Sequence, residues 1–149
     1  MNFFDSLFNN KILLISIVSW LVAQTLKVVH TLIVDKRFNV SRFVGSGGMP
    51  SSHSSFVMAL TSATGLEHGW DSTIFAVALV FSLVVMYDAA GVRNAVGKQA
   101  IIINKIIADI HHKKEKKITE QRLKEFIGHT PIEVIIGAIL GIIIANIMI

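Results

Sequence analysis

Residues 131–149 read PIEVIIGAILGIIIANIMI, and this stretch decides the architecture. From Ile132 to Ile149 the only strongly polar side chains are Glu133 and Asn146. A helix needs about 20 mostly apolar residues to cross the hydrocarbon of a bilayer. The segment therefore reads as a membrane span, and a water-soluble helical domain is disfavoured. It carries Gly137-x-x-x-Gly141, a spacing that lets two helices approach closely. That spacing serves packing inside one bundle or pairing of two copies into a homo-oligomer, and the first use is favoured.

Three more apolar segments precede it. One covers about 12–34 and is interrupted by Lys27 and His30. One covers about 51–66 and is rich in Ser, Thr, Ala and Gly. One covers about 73–90. The second is short for a span, and its small residues suit a helix packed within a bundle better than one facing lipid. Between the third and fourth lies 91–130. Its first half, 92–110, alternates apolar residues with Arg93, Lys98, Lys105 and Asp109, which reads as an amphipathic interfacial helix. HHKKEKKITEQRLKEF follows, a basic polar loop leading into a short helix. The expected fold is all-α: a single domain over 1–149, an integral membrane bundle of about four core helices plus the interfacial helix.

Composition agrees. The hydrophobic fraction is 52%, and charged residues make up 16%, against about 25% in an ordinary soluble domain. Mean hydropathy is +0.62. There is no cysteine, so disulfides, thiolate metal sites and cysteine nucleophiles are excluded. The first ten residues contain Asp5 and no Lys or Arg, so they lack the basic start of a cleavable signal.

Charge sets an orientation. If all four segments cross, the connections 35–50 and 91–131 share one side of the membrane. They hold 12 of the 14 Lys and Arg residues; the others are Lys11 and Lys27. The positive-inside rule puts that side in the cytoplasm of a cell (plasma) membrane, with both ends of the chain outside.

The same face gathers residues suited to phosphate. Ser51, Ser52 and His53 open the second segment, Arg93 follows the third, and His129 and Glu133 open the fourth. Arg42 lies in the first connection. Arginine binds phosphate oxygens with a planar fork, and the free N–H groups of a helix start favour an anion. One histidine can act as nucleophile and another as general acid. Glu133, four residues after His129, falls on the same face of a helix and can orient the imidazole. Plainer readings compete. Ser51 and Ser52 taken alone read as a helix cap. His30, His68, His111 and His112 read as surface groups, and Lys36, Arg37 and the run 113–117 as topology anchors. Lys27 sits about two turns inside its span, roughly 10 Å by helical rise; it either snorkels to the interface or faces the bundle as a functional charge. Asp88 can pair with Arg93 or support the chemistry, and Lys98 is a further supporting candidate.

GGMPSSHSSFV, VMYDAAGVRNAVGKQA and GHTPIEVIIGAILG resemble the type 2 phosphatidic acid phosphatase superfamily, which includes the vanadium haloperoxidases, and within it the divergent small bacterial and plant branch. The superfamily pattern is K-x6-R-P, P-S-G-H and S-R-x5-H-x3-D. Pro50-Ser51-Ser52-His53 matches the second part with Ser52 in place of Gly. Arg93 and His129 match the third across a much longer gap, with Val92 in place of Ser and Glu133 in place of Asp. Arg42 stands for the first arginine without its proline, and neither Lys27 nor Lys36 has the expected lysine spacing. The resemblance implies a membrane phosphatase of acid-phosphatase type. His129 is then the nucleophile, forming a phosphohistidine, and His53 the acid that protonates the leaving alcohol. Arg93, Arg42, Ser51, Ser52 and Lys27 bind phosphate. The expected partners are a lipid phosphate and the membrane, with no nucleic acid, no cofactor and no metal. Related lipid phosphatases generally act at the outer face, whereas the charge count here points to the cytoplasmic one. The same pocket also fits a protein that binds or transports a lipid phosphate without cleaving it, and the basic loop fits a structural subunit of a larger membrane complex.

Overall fold

The computed structural model describes residues 2–35, 48–113, 123 and 128–149. Six helices appear among them: α1 (Phe3–Phe8), α2 (Lys11–Asp35), α3 (Ser52–His68), α4 (Thr73–Ala90), α5 (Val92–Lys113) and α6 (Pro131–Met148), with no strand among the described residues. Three stretches are long and apolar enough to cross a membrane: Lys11–Ile33, Thr73–Ala108 and Pro131–Met148. The protein is an all-α membrane bundle. The short α1 was not expected from the sequence; Asn2 and Asp5 form a capping box at its start, a local device that outweighs the short length of the apolar run.

α3 is the middle of the bundle and packs against α2, α4 and α6. Its side chains explain this position. Ten of its residues are buried, nearly all Ser, Thr, Ala or Gly. Lipid is as apolar as leucine, so small and hydroxylated residues gain more from helix contact than from facing acyl chains. The hydroxyls meet partners. Ser19 and Ser55 Oγ atoms are 2.7 Å apart, Thr61 and Ser82 Oγ atoms 2.6 Å, and Ser82 also donates to the Val57 carbonyl at 2.9 Å. α4, by contrast, buries only Ser82 and Ala89.

α6 runs beside α3 in the same direction. A side chain at Gly137 would collide with the Ser51 carbonyl, and one at Gly141 with the Ser55 carbonyl. The two glycines therefore make the α3–α6 seam of one chain. Farther along, Ile15, Ala59, Ala63, Ile144 and Ala145 close the core between α2, α3 and α6. α2 runs opposite to both: Lys11 Nζ donates to the Ile149 carbonyl at 3.3 Å, while Lys27 reaches the start of α3. The starts of α3 and α6 and the ends of α2 and α4 thus share one end of the bundle. α5 follows α4 after Gly91 alone and packs, among the described helices, only on α4. The short helix expected within 114–127 lies outside the described residues apart from Leu123, whose backbone N–H donates to Asn104 Oδ1 at 3.1 Å.

Candidate active site

Pro131 opens α6 because its fixed φ suits a first helical position and its missing N–H costs nothing there. Thr130 is the cap: its oxygen accepts from the Glu133 N–H at 3.4 Å. The Glu133 carboxylate reaches back and accepts from the Thr130 N–H at 3.1 Å, completing a capping box. The same oxygen, Oε2, lies 3.0 Å from His129 Nδ1. His129 itself precedes the helix. The pair meets, but through the cap rather than through a shared helical face, because Pro131 fixes where the helix begins.

His129 is 1% exposed. With Nδ1–H donated to the carboxylate, Nε2 keeps its lone pair, and Nε2 is buried with no hydrogen-bond partner. Burial pushes this imidazole below the ordinary histidine value, against the Glu133 hydrogen bond and charge, which raise it; nearby Lys27 lowers it further. The Gly48 backbone beside the ring also raises it. The neutral ring with a free Nε2 is thus the favoured form.

The segment carrying His129 is strapped to the α4–α5 junction. The His129 N–H donates to the Ala89 carbonyl at 3.1 Å, and Asn94 Nδ2 donates to the His129 carbonyl at 2.8 Å. Gly128 lies so close that any side chain there would run into the Asn94 backbone. Asn94 and Gly128 were missed in reading the sequence. The available signal is Asn94 itself, a poor helix former in the first turn of a helix.

α3 delivers His53 in its first turn, exposed, with its ring centroid 6.4 Å from that of His129. Ser51 is the cap of α3, accepting from the Ser54 N–H at 3.4 Å and the Ser54 hydroxyl at 3.0 Å. Its own N–H donates to the Glu133 carbonyl at 3.0 Å, which ties the starts of α3 and α6 together. Ser52 Oγ accepts from Lys27 Nζ at 3.4 Å. Lys27 is 1% exposed, so it faces the bundle and does not snorkel. Burying an ammonium group costs several kcal/mol unless it is paired, so Lys27 depends on the partners the bundle supplies.

Arg93, in the first turn of α5, pairs through Nε with Asp88 Oδ2 at 2.6 Å and remains about half exposed. Its two terminal amino groups are left for another acceptor. His53, His129, Glu133, Lys27, Ser51, Ser52, Asp88 and Arg93 therefore meet at one end of the bundle. Lys98 is exposed farther along α5, and no described contact brings it to this cluster. Arg42 lies outside the described residues, as do Lys36, Arg37 and residues 114–122. His30 and His68 are exposed elsewhere. No group of three or more His, Asp or Glu among the described residues is placed to hold a metal ion. The arrangement offers one buried imidazole nitrogen with a lone pair, a second imidazole beside it and cationic donors around both.

The Divergent PAP2 family matches residues 8–144. The chain is 40% identical over 151 residues to a Bacillus subtilis (strain 168) protein named uncharacterized membrane protein YuiD, covering 95% of this chain and 96% of that one. No solved structure gives a significant match.

Proposed function

The chain belongs to the Divergent PAP2 family, and from that premise we propose that it is a membrane phosphatase hydrolysing the phosphomonoester, or pyrophosphate, of a lipid. The observation that carries this reading is His129: buried, held by Glu133 through Nδ1, with Nε2 unpartnered. Nε2 attacks phosphorus in line, an N–P bond forms, and the ester P–O bond breaks. His53 gives its proton to the departing lipid oxygen. It then takes a proton from water as that water attacks the phosphohistidine and releases phosphate. Glu133 stabilises the charge that His129 acquires. Arg93, Lys27, Ser52 and the α3 amide groups stabilise the equatorial oxygens, with Arg42 completing the set. Ser51 shapes the α3 start as its cap. Because Nε2 is enclosed, binding must open a path to it from the exposed His53 side.

The basic connections at the site end support a cytoplasmic, plasma-membrane placement of the site by the positive-inside rule, with both ends of the chain outside. Cysteines placed at Ser46 or Glu115 should resist labelling by an impermeant thiol reagent in intact cells; labelling from outside reverses the orientation.

The enclosure of Nε2 also favours a second reading, in which the pocket binds or carries a lipid phosphate without cleaving it. Phosphate release by purified protein with EDTA present, over a panel of lipid phosphates, separates the two. Release lost in His129→Ala and His53→Ala supports the enzyme. No release by folded parent protein, with lipid phosphate still bound, supports the carrier.

A further inference from the structure

α2 and α4 flank α3, and their backbones do not approach each other among the described residues. The α3 face between them lies at the floor of a groove, with Val57 and Thr64 buried there and His53 and His68 exposed at its two ends. Residues 53, 57, 60, 64 and 68 fall along that face at helical spacing. At the site end it forms a groove of about 390 Å³. His53 and Arg93 stand at its mouth, and Trp20, Phe56, Phe81 and Val85 form its walls. A second cavity, about 440 Å³, continues past Leu60 and Thr64 toward the far end, and Phe81 lines both.

We propose that this groove seats one hydrocarbon chain of the lipid phosphate whose headgroup lies at His53 and Arg93. The inference rests on the phosphate-site reading and names where the rest of the substrate goes. Three observations select this occupant. The mouth carries a guanidinium with two uncommitted amino groups and an imidazole, complementary to a phosphate. The walls behind it are aromatic and aliphatic. The groove lies between two helices long enough to cross a membrane, so lipid reaches it sideways. From His53 to His68 the face extends roughly 22 Å by helical rise, so chain length is read along it.

The test uses the full chain in lipid nanodiscs and a long-chain alkyl phosphate carrying a diazirine midway along its chain. Photolabelling followed by peptide mapping should mark Phe56, Val57 and Phe81. The substitutions Val85→Trp and, at an exposed site, Phe81→Trp fill the groove. Each should cut labelling about tenfold, the effect of losing two buried methylenes. Each should also lower the ratio of kcat/KM for long-chain over short-chain phosphate esters by a similar factor. Labelling confined to the lipid-facing sides of α4 and α6, or labelling and ratio unchanged in both variants, overturns the proposal. So does loss of labelling as copies cross-link through Phe81→Cys. Labelling needs no turnover and is repeated in His129→Ala. Groove labelling without phosphate release from any lipid upholds the chain seat and sinks hydrolysis instead.

Discussion

α3 carries a histidine near each end, and the two sit in different chemistry. His53 lies 6.4 Å, ring to ring, from a buried partner, beside Arg93. His68 lies in the last turn, exposed, where the neighbouring groups are Gly69, which follows the helix, and Ser72, which caps α4. Both histidines line cavities along the same side of α3. What differs is convergence. At the His53 end, the starts of α3, α5 and α6 meet the last turn of α4 and the inner part of α2. At the far end, polar atoms are spent on caps, on local bonds such as Asn146 to the Ile142 carbonyl, and on the Lys11–Ile149 contact. A histidine on a membrane helix acquires chemistry only where other elements bring it a buried base and a counter-charge.

The strongest way to break this contrast is at the buried base. His129→Ala should lower phosphate release by about a thousandfold or more, because the proposed covalent route disappears. Retained activity would remove the special standing of this end. Next comes the paired test on α3 itself. His53→Ala should cost about a hundredfold or more as the leaving oxygen loses its acid, while His68→Ala should change the rate less than about twofold. Equal losses would show that the two ends are not distinct.

Glu133→Gln probes the same end through pH. Burial holds His129 below its ordinary value of about 6.5, and Glu133 opposes that shift. The nucleophile acts neutral, so the acid limb of kcat/KM should lie below about pH 6.5. Removing the carboxylate removes the opposing influence, so His129 titrates still lower and the limb moves to more acidic pH. The plateau should fall about ten- to a hundredfold, as Nδ1 loses the acceptor that sets its tautomer. A limb displaced toward neutral pH would contradict the assignment of His129 as the titrating nucleophile.

Much of the site end was legible because its signals are local. Apolar runs announced α2, α4 and α6, and Pro50 through His53 announced the start of α3. The four-residue spacing announced the His129–Glu133 pair, though the pair forms through the Thr130–Glu133 capping box and not on a shared helical face. The orientation of Lys27 was not legible: a lysine two turns inside a span reads alike whether it snorkels or turns inward, and its burial and its bond to Ser52 show the inward choice. The partner of Gly137 and Gly141 was not legible either, since the spacing serves any close helix; the carbonyls of Ser51 and Ser55 settle it within one chain. Asn94 escaped because its contact spans 35 residues of sequence and ends on a backbone carbonyl, which leaves no mark on residue type.

The smallest expected effects sharpen the contrast most, because they separate rate from stability. Asn94→Ala removes the 2.8 Å bond to the His129 carbonyl but leaves the Ala89 strap in place. His129 should then wander slightly, lowering kcat a few-fold, about fivefold, with little change in KM. At the far end, Ser72→Ala removes the oxygen that caps α4 at 3.3 Å. That should cost about 1 kcal/mol in stability, the usual effect of a lost cap, while turnover per folded molecule stays constant. Thermal unfolding and kcat measured together decide it. A fall in kcat for Ser72→Ala, or a loss of stability without a rate effect for Asn94→Ala, would mean that the strap around His129 is ordinary packing like the cap it is compared with.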